Sequence, residues 1–433
     1  MPMQRRRKTL FILMAASIVW ISCELIVAVA LPTVHPPISS INPRAFIERY
    51  RTSIEKLIEG RTDFVAFDPD LGWSHKPWGQ GGVFRANGQT MRADHDYTFD
   101  PAPALVRVAT FGDSFMLGSD VEVEFTWQAL LEKHDPPLEV LNFGVSSYGT
   151  DQAVLRYEKD GRAFSPDIVV LSFITENSRR NLTTFRPFYL SSTGFPLAKP
   201  RFRMDDGRMV LVENPVQSLD QYQDLLDHPE TELPRIGRWD DYYSQYEPST
   251  TPWIDNIPSV KAARFWMIRM KKWWNHHTNP SGISDDWYSG EHGTNSLLVN
   301  IFDRFHDDAI ANGAVPVFLL FPIHFDYRNI GPSGEMSYSS LLPFFEARGY
   351  HYIDCDKIFR PALDSGHSYG DLFAFGEDGG HYSAFAHELI ASAMGSTIEN
   401  LRQEVHRETL METEPINPPA RSPAKTHDEE SRD

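Results

Sequence analysis

Short stretches that are apolar at nearly every position alternate with longer stretches of helical spacing. Residues 106–111 form the first apolar run, and 126–134 carry apolar residues at helical intervals. Residues 138–143 are a second run, 151–159 read as helix, and Asp167-Ile-Val-Val-Leu-Ser-Phe173 is a third run. The pattern resumes with a helix over 296–312, strands over 315–321 and 350–354, and a last helix over 384–401. Strands apolar on both faces belong in a parallel sheet with helices on either side. The periodicity therefore predicts an α/β domain of three layers, written as two parts of the chain, 65–185 and 296–402.

Residues 186–295 break the pattern. They are irregular and dense in aromatic residues, among them Trp239, Tyr242, Tyr243, Trp253, Trp266, Trp273, Trp274 and Trp287. We read them as an insertion capping the sheet edge. Ahead of the domain, 32–64 reads as a Pro- and Ser-rich linker followed by one short amphipathic helix over 44–60. The tail, 403–433, is rich in proline and charge and reads as disordered.

The N-terminus changes the picture of location. Gln4-Arg5-Arg6-Arg7-Lys8 precedes residues 9–31, which are apolar except for Glu24. About 20 apolar residues span a bilayer as a helix, and the basic flank stays on the cytoplasmic side. Residues 1–31 are thus expected to be a signal anchor. It would be a single-pass helix in the cytoplasmic membrane of a bacterium, with the domain outside in the periplasm. The alternative is secretion after cleavage, since Ala28-Val29-Ala30 has the small-x-small form of a cleavage site.

The formal net charge of -18 repels a phosphate backbone, so nucleic acid is not an expected partner. Two cysteines, Cys23 and Cys355, make neither a disulfide framework nor a thiolate zinc site. No P-loop, His-Glu-x-x-His or Gly-x-Ser-x-Gly motif occurs, and no metal or cofactor is expected. His276-His277 reads as plain surface.

The chemistry concentrates in Val108-Ala-Thr-Phe-Gly-Asp-Ser-Phe115, where the first strand ends at a glycine followed by Asp113 and Ser114. The carboxyl edge of an open parallel sheet is where ligands bind. A serine there needs a base to act as a nucleophile. Asp113 reads as a structural hydrogen-bonder of the turn.

These residues resemble the SGNH/GDSL hydrolase family. Gly112-Asp113-Ser114-Phe115 is similar to its first block, and Asn142-Phe-Gly144-Val-Ser-Ser-Tyr-Gly-Thr-Asp-Gln152 to its second. Phe173-Ile-Thr-Glu-Asn177 falls where the third block lies, and Asp378-Gly-Gly-His381 where the last one lies. The third block departs from the family pattern, with Glu176 before Asn177 and Ser178 after it. Glu176 is expected to point away from the site or to bond Arg179 or Arg180. The stretch from Asp68 to Trp73 and that from Asn87 to Arg92 resemble a segment preceding the catalytic block in membrane-linked members, expected as an extended arm across the sheet. Arg92 is read as a surface residue, with a reach to substrate as the alternative.

The resemblance implies a three-layer α/β/α, flavodoxin-like sandwich. It implies Ser114 as nucleophile, His381 as base and Asp378 as the acid behind it. It also implies an oxyanion hole from Ser114, Gly144 and Asn177. The expected activity is cleavage of an O-acyl ester, O-acetyl foremost, on a small ester or an acylated carbohydrate. The alternatives are O-acyl transfer to a cell-surface polysaccharide, and a non-catalytic binding or assembly protein of the same fold.

Overall fold

The computed structural model describes most of residues 14–29, residues 42–243 apart from 135–136, part of 257–270, and 293–413 apart from 331–333. The basic flank at 4–8, most of the linker, Trp253, His276, His277, Trp273, Trp274, Trp287 and the end of the tail lie outside the described residues.

Five strands form one parallel sheet: β1 (Val106–Phe111), β2 (Leu138–Asn142), β3 (Ile168–Phe173), β4 (Val315–Leu320) and β5 (His351–Asp354). Their order is β5-β4-β3-β1-β2, with Val108 and Val315 both registering on Ile168. Val140, Leu141, Val169, Val170, Leu171, Phe318 and Leu319 are all buried, as double-sided burial in a parallel sheet requires. The chain runs from β1 outward to β2, then returns past β1 to β3. Right-handed crossovers on that path put successive helices on opposite faces. The reversal opens a crevice between the carboxyl ends of β1 and β3, the place where such sheets bind ligands.

Helix α2 (Trp127–His134) packs against the long terminal helix α7 (Ala384–Thr413). Helix α3 (Thr150–Arg156) packs against α5 (Gly293–Ala311). Two shorter helices matter for the site: α1 (Ser114–Leu117), directly after β1, and α4 (Asn177–Arg180), directly after β3. Helix α6 (Cys355–Asp364) follows β5 and carries Phe359 into the core. The helix expected to run to residue 159 instead widens after Arg156 into a π-type turn, Tyr157–Gly161, which seats the Tyr157 ring on Phe111.

The expected single helix over 44–60 is two, Pro43–Glu48 and Arg51–Ile58. At the break Tyr50 reaches the Ser191 carbonyl at 2.7 Å. These helices are not a free linker. Phe46, Ile47, Tyr50, Ile54 and Leu57 share a second core with Phe185 and with Phe188, Tyr222, Leu225, Leu233 and Ile236 of the insertion. A fully buried ion pair, Lys199 Nζ to Asp151 Oδ2 at 2.5 Å, ties the insertion to α3. Burial pushes the Asp151 carboxyl up and the Lys199 amine down, each opposed by its partner.

The expected extended arm is an antiparallel hairpin, Val65–Asp68 with Gly72–His75. It is fixed to the loop after β2 by Trp73 Nε1 donating to Ser146 O at 3.0 Å and Tyr148 Oη donating to Trp73 O. Arg92 is not a surface residue. It is 2% exposed, and its guanidinium donates to the carbonyls of Val83 and Val121. Burial lowers its pKa to about 10.

In the N-terminal run the described side chains of Ile18, Val19, Trp20, Ile21, Leu25 and Ile26 are exposed. Among the described residues, no helix is long and apolar enough to cross a membrane.

Candidate active site

The site begins where β1 stops. Asp113 caps α1, its Oδ1 accepting the Phe115 N–H at 2.9 Å. That places Ser114 at the first helical position, where an N–H has no partner within the helix. The Ser114 N–H and hydroxyl make no hydrogen bond to any described residue, and Ser114 is 7% exposed. Gly118, at φ 72°, ends the helix in the left-handed region and reverses the chain. Two residues later the chain presents Asp120.

His381 reaches the same rim from the other end of the sequence. Its ring lies 5.0 Å from that of Phe115, edge to face, and Phe115 also contacts Tyr382 at 5.1 Å. The carboxylate on its Nδ1 is Asp120. The Oδ2 atom of Asp120 accepts the main-chain N–H of His381 at 2.8 Å and pairs with Nδ1 at 2.9 Å. These bonds hold the Asp120 carboxyl below the usual range. With Nδ1 engaged, Nε2 is the ring nitrogen left for a proton from a nucleophile.

Asp378 therefore does not take the place expected for it. The Asp-x-x-His spacing would join the two side chains on a regular turn, but Gly379 at φ 95° and Gly380 at φ 89° break that turn. The segment folds into a narrow loop closed by Ala374 N–H to His381 O at 2.9 Å. Asp378 lies exposed within that loop. A side chain at Gly380 would come within 3.1 Å of Asp120 Oδ2 and 2.6 Å of the Phe375 ring, so only glycine admits both neighbours.

Two of the three expected oxyanion donors are engaged within the protein. The Gly144 N–H donates to Asn142 Oδ1 at 2.9 Å. The Asn177 amide donates to Tyr148 O at 3.0 Å and to Asp113 Oδ2 at 3.2 Å. For Asn177 the cause is the burial of Asp113, which pushes its carboxyl up and demands donors. Asn177 and Arg180 supply them, Arg180 Nη1 lying 3.0 Å from Oδ2. Gly144 nonetheless sits hard against α1, since a Cβ there would meet Leu117 N at 2.5 Å.

Glu176 joins this cluster, as expected through Arg180. It accepts the Tyr189 hydroxyl at 2.7 Å and pairs with Arg180 at 3.4 Å. Burial alone would raise its carboxyl, but Arg180 and Tyr189 outweigh burial and hold it below the usual value. In this chain, Arg180 and Asn177 together support Asp113.

Asp120 and Arg180 are the functional neighbours that sequence reasoning missed. Gly118 was the available signal for Asp120: a left-handed helix end four residues after the serine turns the chain back on itself. Arg180 could be suspected only from the need of a buried Asp113 for a cation. Among the described residues, no group of three or more His, Cys, Asp or Glu could hold a metal ion.

No family model matches the chain, and no curated protein matches it either. Solved structures are similar over about two thirds of it. A member of the lipolytic protein G-D-S-L family from Veillonella parvula has 10% identity and a TM-score of 0.32, covering 66% of this chain and 94% of its own. The acetyl xylan esterase AlAXEase has 13% identity and a TM-score of 0.34, covering 68% and 100%. A catalytic mutant of an acetylxylan esterase from Geobacillus stearothermophilus has 11% identity and a TM-score of 0.33, covering 67% and 92%. Likeness this loose transfers no residue role.

Proposed function

We propose that this chain is a serine esterase of the SGNH/GDSL type that removes an O-acyl group, O-acetyl foremost, from an acylated carbohydrate or small ester. One observation carries the reading: the Asp120–His381 pair stands on the rim where Ser114 opens α1, at the crevice between β1 and β3. Asp120 fixes the imidazole with its Nδ1 proton inward and stabilises the imidazolium. His381 Nε2 takes the Ser114 hydroxyl proton as Oγ attacks the acyl carbonyl carbon. The carbonyl oxygen, now an oxyanion, meets the unpartnered Ser114 N–H. Gly144 N–H can join it by releasing Asn142. Collapse of the tetrahedral species breaks the ester bond, and the leaving alkoxide takes the proton from Nε2. Water then attacks the acyl-serine, giving its proton to Nε2; the acyl–Oγ bond breaks, Oγ takes that proton back from Nε2, and carboxylic acid and free Ser114 are released.

The basic flank and apolar run of residues 1–31 support a tether in the cytoplasmic membrane, with the esterase outside it. Labelling with a fluorophosphonate probe tests the nucleophile. Native protein should label and Ser114→Ala should not. Labelling that persists in the variant, with the fold intact, overturns the assignment. Adding a carbohydrate acceptor to a p-nitrophenyl acetate assay then separates hydrolysis from acyl transfer.

A further inference from the structure

The loop that delivers His381 also carries a ring that the reaction steps do not use. Its two walls are joined by the Phe373–Tyr382 bridge and by Ala374 N–H donating to His381 O at 2.9 Å. Near its tip the Phe375 N–H donates to Gly379 O at 3.0 Å. Phe375 is thus fixed through its backbone, yet it is 66% exposed. Its ring lies against Gly380, the same residue that Asp120 Oδ2 lies against.

Gly379 seats a second ring. A Cβ there would meet Cγ, Nδ1 and Cδ2 of His324 at 2.7, 2.7 and 2.8 Å. Three near-equal distances put the imidazole face over the glycine. His324 opens the short helix His324–Arg328, just past the carboxyl end of β4. Its neighbour Phe325 is 50% exposed, with the two ring centroids 3.9 Å apart. Among the described residues, neither nitrogen of the His324 ring has a hydrogen-bond partner. Burial and Arg328 hold its pKa below the usual value, so at neutral pH the ring offers one donor and one acceptor. Three rings are therefore linked to the catalytic pair: Phe375 through Gly380, His324 through Gly379, and Phe325 through His324.

We propose that these rings form the alcohol-side subsite of the esterase, a ledge that holds an uncharged sugar ring of an acylated glycan. His381 hands its proton to the leaving alkoxide, so the alcohol part of the ester must lie beside the loop that carries His381. Ligand sites combine aromatic surface with a few placed polar groups. A sugar ring has C–H faces to lie on the aromatic rings and hydroxyls to pair with the His324 imidazole. An acyl chain needs an enclosed apolar wall, and rings half or more exposed around an unpartnered imidazole do not make one. A uronate would meet Asp120, the exposed Glu377 of the same loop and a formal net charge of -18.

The proposal rests on the esterase reading above, and the test separates the two. Native protein, Phe375→Ala, Phe375→Trp and His324→Phe are assayed on partially O-acetylated cellotetraose, on partially O-acetylated oligogalacturonate, on p-nitrophenyl acetate and on p-nitrophenyl palmitate. Thermal melts accompany each variant; His324→Phe keeps a ring over Gly379 and removes its nitrogens. The quantity read is kcat/KM on the cellotetraose ester divided by kcat/KM on p-nitrophenyl acetate. It should fall about tenfold in Phe375→Ala, through KM, and recover in Phe375→Trp. It should fall about fivefold in His324→Phe. Native protein should favour the cellotetraose ester over the oligogalacturonate ester at least about tenfold. An unchanged ratio in Phe375→Ala and His324→Phe, with p-nitrophenyl acetate still cleaved, overturns the ledge and leaves the esterase standing. So does native protein that cleaves p-nitrophenyl acetate but neither glycan ester, or that prefers the oligogalacturonate. A loss in Phe375→Ala confined to the palmitate also overturns it and assigns the ring to an acyl chain. Native protein that cleaves no ester and takes no fluorophosphonate overturns the esterase reading and the ledge with it.

Discussion

Replacing Asp120 by asparagine keeps the shape of the residue behind His381 and removes its charge. In the native protein Oδ2 receives the His381 main-chain N–H at 2.8 Å and pairs with Nδ1 at 2.9 Å. An asparagine can satisfy one of these through its oxygen, but its amide N–H₂ can face Nδ1 and force the proton onto Nε2. An Nε2 that carries a proton cannot take one from Ser114. In a buried triad this substitution costs about 10⁴ in kcat, or about 5.4 kcal/mol. The Asp120 side chain is 23% exposed here, so water screens part of the charge and can replace part of the bond. We therefore expect a fall of about 10²–10³, or about 3–4 kcal/mol, in kcat with KM nearly unchanged. Asp378→Asn, in the exposed loop, should stay within about twofold, as surface substitutions away from a site do. The assay is p-nitrophenyl acetate hydrolysis with thermal melts on each variant, so that a folding defect is seen separately. A large fall in Asp378→Asn beside an unaffected Asp120→Asn would refute the assignment of the acid.

Three further outcomes follow from the same geometry. Lys199→Met leaves Asp151 buried without its cation and should lower stability by about 3–5 kcal/mol in urea unfolding; a variant as stable as the native protein would mean the pair is solvated. Gly144→Ala drives a methyl against Leu117 N at 2.5 Å, shifting α1, and should slow fluorophosphonate labelling by about 100-fold; an unchanged rate would mean that α1 yields at no cost. His387 is fully buried, accepts the Trp127 N–H at 3.2 Å, and burial lowers its pKa to about 3. Between that value and about 6.5 the unfolded chain binds the extra proton, so stability rises with pH across this window and is fully present above it. Moving from pH 7 to pH 5 should cost about 2 kcal/mol from this group alone, and His387→Gln should flatten that portion of the stability profile; an identical slope in the variant would assign it elsewhere.

The sheet was legible because its strands are apolar on both faces. Ile168 to Phe173 can be stable only when covered on both sides, and that requirement shows in the letters themselves. The place of Ser114, just past the end of the first strand, was legible because the apolar run stops at Gly112. The partner of His381 was not. Spacing pointed to Asp378, but the two glycines between them take positive φ, and a φ value is not written in a sequence. Likewise the helical spacing of 44–60 did not show that this stretch joins a core, because its burial partners, Phe188 and Tyr222, lie far along the chain in a stretch with no regular pattern.

By itself the sequence determined the strands of the parallel sheet and the longer helices beside them, which residue stands at the end of the first strand, and that the chain opens with a basic flank and an apolar run. These are local matters, set by periodicity and by residue type. Only the tertiary structure decided that Asp120 rather than Asp378 backs His381, that Asn177 serves Asp113, and that the insertion shares a core with the N-terminal helices. Each of those depends on which distant groups burial brings together, and a buried polar group takes the partner that packing puts within reach, not the one nearest in the chain.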